Sequence, residues 1–253
     1  MKLFLLNWQI AFRKKTIGSI LSDHSTPFIM VPNTKRYVAA DPFLFTHKGI
    51  KYLFAELYDR KEKRGKIGYA IWNGEKFGDW HVIIEEKYHL SYPNIFEYKG
   101  EIYIIPESSA CSEINVFRAI HFPDDWEKHT TLLSGKKCVD TTFLSLNGKK
   151  WMFTYEIIPD DNKKLLLYEI TDDKIGNNGM IISNDDATAR CGGKFIITEK
   201  DVYRVSQDCD GDYGKALVFS KVLECDEKNY KEQVIKRITT KDVKIVGASN
   251  APH

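Results

Sequence analysis

One segment recurs along this chain, and its recurrence constrains the fold more than any other feature of the sequence. DPFLFTHKGIKYLFAE from Asp41, YPNIFEYKGEIYIIPE from Tyr92 and DTTFLSLNGKKWMFTY from Asp140 align without gaps. Each opens on an apolar run, places a glycine at the far end of it (Gly49, Gly100, Gly148), and sets an aromatic shortly afterwards (Tyr52, Tyr103, Trp151). That plan is a β-hairpin whose glycine takes a turn conformation closed to most residues. A fainter fourth copy, GGKFIITEKDVYRVSQ from Gly192, keeps phase through Phe195 and Tyr203 but has Lys200 in place of the turn glycine. The starts lie about 50 residues apart, and strand-like stretches such as KIGYAIWNGEKFGDW, EINVFRAI and KLLLYEITDDKIGNNGM fill the intervals. Each unit then holds about four strands, which is the period of a radial propeller.

The expectation is an all-β, five-bladed β-propeller forming a single domain over residues 1–253. The segment 1–38 and the tail KIVGASNAPH would together complete the last blade and limit exposed sheet edges. YDRKEKRG and DDKIGNNG read as surface loops. With 37 basic and 35 acidic side chains spread along the chain, the net charge is only +2, which offers no basic field for nucleic acid. Five cysteines without CxxC spacing indicate free thiols in a reducing compartment rather than a disulfide framework or zinc ribbon. MKLFLLNWQIAFRKK is interrupted by Asn7 and Gln9 and lacks a small-residue cleavage site, and no run approaches the roughly 20 apolar residues of a spanning helix. A cytoplasmic protein is expected. Trp8, Phe12, Arg13, Lys14 and Lys15 either touch a membrane surface peripherally or belong to a short helix packed on the domain.

In a propeller the first strand of each blade lines the central channel, so in-phase residues converge there. Asp41 and Asp140 are expected neighbours, with Tyr92 at the matching position of the second blade. The second hairpin strands end in Glu56, Glu107 and, one residue late, Glu156. Converging carboxylates raise one another's pKa, as acid/base work on a glycosidic bond requires. The competing account is that an Asp before Pro is a turn-former capping local N–H groups. YHLSYPNIF brings His89 and Ser91 beside Tyr92, with His89 read as a structural residue, a binder of a sugar hydroxyl or a catalyst. The fourth copy carries Arg190, Arg204, Gln207, Asp208 and Tyr213, where arginine forks suit a carboxylate or phosphate on a ligand or else serve internal salt bridges. No Walker A loop, GxGxxG, GxSxG or HExxH is present. No cofactor is expected. Carboxylates around a channel would suit Ca²⁺, but no ligand loop of recognisable spacing exists, so no metal ligands are assigned.

The runs AADPFLF, YHLSYPNIF, GEIYIIPES, FPDDW, VDTTFL and VYRVSQDCDGDYGKAL together resemble the N-terminal propeller domain of glucosamine inositolphosphorylceramide transferases and of bacterial proteins from surface-polysaccharide loci. The resemblance covers roughly residues 36–220. That domain is in turn similar to the five-bladed propellers of family 43 glycoside hydrolases and of the invertase and levansucrase group, which use three carboxylates in a central funnel. By position the resemblance implies Asp41 as base or nucleophile and Asp140 as pKa modulator or transition-state stabiliser. The general acid of those hydrolases lies in an EGP or EC setting that this sequence lacks, leaving Glu107 as its candidate. The implied function is a glycosyltransferase-like enzyme, in one form fructofuranosyl-type, acting in surface polysaccharide or glycolipid assembly beside partner enzymes. In it Arg190 and Arg204 would hold an anionic part of an activated sugar. The alternatives are a family 43/32-like glycoside hydrolase and a non-catalytic sugar-binding propeller.

Overall fold

The computed structural model describes residues 8–16, 19, 21–22, 25–158, 163–172, 174–176 and 179–246. The extreme termini, including the first seven residues and most of the tail expected in the last blade, lie outside the described residues. No α-helix occurs among the described residues, and strands dominate: β1 (Ile10–Phe12), β2 (Phe28–Val31), β3 (Tyr37–His47), β4 (Ile50–Asp59), β5 (Arg64–Ile71), β6 (His81–Ile84), β7 (Ser91–Tyr98), β8 (Glu101–Glu107), β9 (Glu113–His121), β10 (Asp125–Ser134) and β11 (Cys138–Leu146). There follow β12 (Lys149–Glu156), β13 (Lys164–Thr171), β14 (Lys174–Ile175), β15 (Met180–Ser183), β16 (Arg190–Cys191), β17 (Ile196–Ile197), β18 (Val202–Asp208), β19 (Ala216–Cys225), β20 (Tyr230–Ile238) and β21 (Ile245–Val246). They form five sheets, the blades of a five-bladed propeller. Where a short helix was one reading of residues 8–15, the chain instead forms β1, whose Ile10 is buried.

The chain divides into two compact units. The first is built on Met30–Cys138 and contains the meanders β3-β4-β5-β6 and β7-β8-β9-β10. The second takes the described residues of Ala11–Ile29 and Val139–Ala251 and contains the sheets β11 to β15 and β16 to β20. In this unit Phe28 and Ile29 of β2 pair in parallel with Ile245 and Val246 of β21.

The hairpins follow directly from their turn residues. Lys48-Gly49, Lys99-Gly100 and Asn147-Gly148 all have positive φ at both positions (48° and 78°, 50° and 81°, 53° and 75°), as a type I′ turn requires. The fourth copy has no such pair. Ile197 and Val202 instead flank a wider loop in which Thr198 Oγ1 accepts the Asp201 N–H (3.0 Å). Inner strands are buried over long stretches because both of their faces are covered. Tyr52–Leu57 of β4 and Trp151–Tyr155 of β12 are buried throughout, whereas the outer strands β10 and β20 are half-solvated.

In the first unit the FPDDW turn after β9 locks the two sheets together. The Phe122 ring lies 4.9 to 5.8 Å from the rings of Phe45, His47 and Tyr52. Tyr69 donates to Asp124 (2.7 Å), and Trp126 donates to the Pro123 carbonyl (2.7 Å) while its ring meets Phe54.

Candidate functional site

The three in-phase positions that open the hairpins share one unusual backbone state. Asp41, Tyr92 and Asp140 have φ of 50°, 44° and 51°, a left-handed conformation that costs a non-glycine residue roughly 1–2 kcal/mol. In β3 the register slips between Ala40, opposite Glu56, and Phe43, opposite Phe54, so Asp41 and Pro42 bulge out against Ala55. β7 does the same between Ser91, opposite Glu107, and Asn94, opposite Ile105. Bulges of this kind re-aim a side chain, and strained backbone of this kind clusters at active sites and ligand clamps. In the fourth sheet the slip is larger, between Cys191 opposite Ser206 and Ile196 opposite Tyr203. Gly192 fits there because a Cβ would come within 2.9 Å of the Ser206 carbonyl carbon.

In the first unit, Asp41 Oδ2 accepts the Tyr92 N–H (3.2 Å), and the Tyr92 ring is buried edge-on against Phe43 at 4.8 Å. Tyr92 contributes a backbone donor and packing at this position. Glu56, 4% exposed, has Oε1 3.1 Å from Nε2 of His89, whose own Nδ1 accepts the Gly65 N–H (3.0 Å). Burial disfavours the His89 cation, but Glu56 and then Glu107 outweigh it and hold the imidazole pKa above its ordinary value. Glu107, half-buried, accepts from Ser109 Oγ (2.8 Å). The structure thus brings Asp41, Glu56, His89, Tyr92 and Glu107 to one end of the first two sheets.

In the second unit, Asp140 is 2% exposed and its Oδ2 accepts from Arg190 Nε and from Gln207 Nε2 (3.3 Å). Gln207 also donates to the Cys191 carbonyl (2.8 Å). The Arg190 guanidinium lies 4.8 Å from the centre of the Tyr213 ring, and that ring is 54% exposed. These four side chains make a second polar cluster. Glu156 stands opposite Lys164 at the end of β12.

The structure puts Arg204 and Asp208 to structural use. Arg204 is 1% exposed, and its fork is taken by both oxygens of Glu232 and, at 2.7 Å, by the Thr188 carbonyl. Asp208 is buried in ion pairs with Arg237 and Lys215. Residues that the sequence reading passed over include Gly65, Glu232 and Asp186, which accepts from Tyr155 OH (2.8 Å) and Lys163 (3.3 Å). Another is Lys194 in the fourth-sheet bulge, whose ammonium burial pushes down to about 8. Only the doubled glycine before Lys194 hinted at an irregular backbone there. No group of three or more His, Cys, Asp or Glu suited to hold a metal occurs among the described residues.

Comparison with known proteins gives a family and a shared fold. The family described as glucosamine inositolphosphorylceramide transferase 1, N-terminal, matches residues 29–251. Transferases of that name are similar over 203 residues, 30% identical in Oryza sativa subsp. japonica and 32% in Arabidopsis thaliana. These alignments take in 76% of this chain but 27% and 26% of the relatives, so the chain spans about a quarter of their length. Among solved structures, the catalytic domain of a GH62 α-L-arabinofuranosidase from Coprinopsis cinerea superposes with a TM-score of 0.62 at 11% identity, covering 85% of this chain and 75% of that one. A GH32 β-fructofuranosidase from Bombyx mori gives 0.58 at 12%, covering 85% and 55%. The α-L-arabinanase of Cellvibrio cellulosa in complex with arabinohexaose gives 0.56 at 12%, covering 92% and 86%. At such identities the likeness is one of fold.

Proposed function

Because the chain belongs to the family of glucosamine inositolphosphorylceramide transferase 1 N-terminal domains, we propose that it is a glycan-active propeller of glycolipid or surface-polysaccharide assembly, acting in the manner of a glycosyltransferase on an activated sugar. The observation that carries this reading is the carboxylate on a strained, left-handed residue in each unit, Asp41 at a bulge in one and Asp140 in the other. A side chain displaced from the regular strand is set to meet a ligand, and its carboxylate suits sugar hydroxyls and the positive charge that develops at an anomeric carbon. Asp41 serves as nucleophile or base and Glu107, steadied by Ser109, as acid/base.

Assay of candidate nucleotide sugars and sucrose against lipid and glycan acceptors tests it. Asp41→Asn is expected to lower transfer by about 100-fold or more, in the range that general acid–base groups contribute. Unchanged transfer removes Asp41 from the chemistry.

One observation favours a second reading, a sugar-binding propeller without catalysis. Asp140 is already engaged by Arg190 and Gln207, as a hydrogen-bonding ligand site would be. In that case sugar binding survives Asp41→Asn and no donor is turned over. Release of free sugar from aryl furanosides would instead identify a hydrolase.

A further inference from the structure

The His89 imidazole has both of its nitrogens committed to neighbours that ask opposite things of it. Nδ1 accepts the Gly65 N–H (3.0 Å), which places the ring proton on Nε2, and Nε2 faces Glu56 Oε1 at 3.1 Å. A second proton would sit on Nδ1 and point at the Gly65 amide hydrogen, while the carboxylate on the other side would welcome the charge. The pocket leaves little slack for compromise. A Cβ on Gly65 would fall 2.3 Å from the Leu90 carbonyl oxygen, 2.7 Å from Glu56 Oε1 and 2.8 Å from His89 Cε1, so β5, β4 and the 85–90 connector meet in direct contact there.

That connector leads from β6 into β7, and Gly65 grips it twice. Its N–H bonds His89, and its carbonyl accepts the Leu90 N–H (3.0 Å). Two residues further on, the Tyr92 N–H donates to Asp41 Oδ2. The segment that fixes His89 therefore also carries the donor that holds the Asp41 carboxylate.

We propose that His89 is a pH-operated latch: neutral, it pins the connector to β5 through the Gly65 amide, and protonated, it keeps Glu56 and releases Gly65, loosening the Tyr92 donor that positions Asp41. The groups facing the ring are Glu56 and Tyr58 from β4, the Gly65 backbone from β5 and Glu107 from β8. Burial and the Gly65 amide oppose the cation, and both carboxylates favour it and raise the pKa above its ordinary value. The latch does not depend on the chemistry assigned to Asp41, and it operates in a binding module as well as in an enzyme.

NMR on the unmodified chain tests it. Ring ¹⁵N shifts of His89 report its tautomer and midpoint, and the protection factor of the Gly65 amide against hydrogen exchange reports the latch. Above the midpoint His89 should show the Nε2–H tautomer and Gly65 should be protected. As His89 gains its proton, Gly65 protection, corrected for intrinsic exchange, should fall by about tenfold or more, with the Tyr92 amide shift moving at the same midpoint. Protection that stays level while His89 titrates overturns the proposal, and so does an Nδ1–H tautomer at high pH. Glu56→Gln supplies a second reading, since removing the charge should lower the His89 midpoint; a midpoint that does not move removes Glu56 from the latch.

Discussion

Among single residues, Arg204 shows most clearly how partners decide a role. Its position beside Gln207 and Asp208 suggested a ligand-facing fork, yet the guanidinium is enclosed and bidentate on Glu232, which Tyr230 OH also bonds (2.6 Å). A fork matched to an internal carboxylate leaves its partner stranded when removed. Arg204→Ala should cost about 3–5 kcal/mol in urea denaturation. Arg204→Lys should recover only part of that, because a point charge cannot span both oxygens. Sugar affinity of the folded fraction should change in neither variant, and a selective loss of binding with stability intact would restore Arg204 to the ligand. The sequence did not disclose this pairing because Glu232 follows 28 residues later on a different strand. Asp140 was visible in phase with Asp41, but its engagement by Arg190, 50 residues away, was not. Local pattern marks which residues are set apart, whereas tertiary pairing decides what each has available.

At the level of the hairpin, the repeat was legible because its turns obey strict backbone rules. A glycine recurring in phase between apolar runs, preceded by Lys48, Lys99 or Asn147, gave both the turn and the register of the strands on either side. The fourth hairpin was fainter for an equally physical reason, since a four-residue loop closed by Thr198 replaces the two-residue turn and needs no left-handed pair. The three good copies are still not equally suited to their conformation. Lysine at positions 48 and 99 is held at φ of 48° and 50°, whereas the third copy has asparagine, which tolerates that region through its short polar side chain. Lys48→Asn and Lys99→Asn should each stabilise the chain by about 0.5–1 kcal/mol, part of the roughly 1–2 kcal/mol that the left-handed conformation costs. Thermal or urea denaturation measures this, and a destabilised variant would mean that the lysine side chain makes a contact worth more than the strain.

Over the molecule as a whole, composition and periodicity were sufficient for an all-β propeller, while the division into two compact units left no mark in composition or linkers. Response to acid belongs to this scale. Asp59 is fully buried at the end of β4, and although burial works against its charge, Arg36 and the N–H groups of Glu62 and Lys61 prevail and bring its pKa down to about 2. A carboxyl with a folded pKa below its unfolded value adds stability above the unfolded value of 3.8, and that stability is lost as pH falls through about 2. Denaturation midpoints should therefore drop between about pH 4 and pH 2, and Asp59→Asn should flatten the slope in that window; an unchanged slope would shift the cause to other carboxylates. The aromatic lock of the first unit has a different consequence. Phe122 leaves its own sheet to fill a nest of rings in the preceding one, so the second sheet carries a plug and the first a matching socket. Sequence copies that look interchangeable are not interchangeable parts. A graft of either sheet alone into another scaffold would bring an unfilled hollow or an uncovered phenyl ring, which makes the pair the smallest piece that duplication or design can transplant.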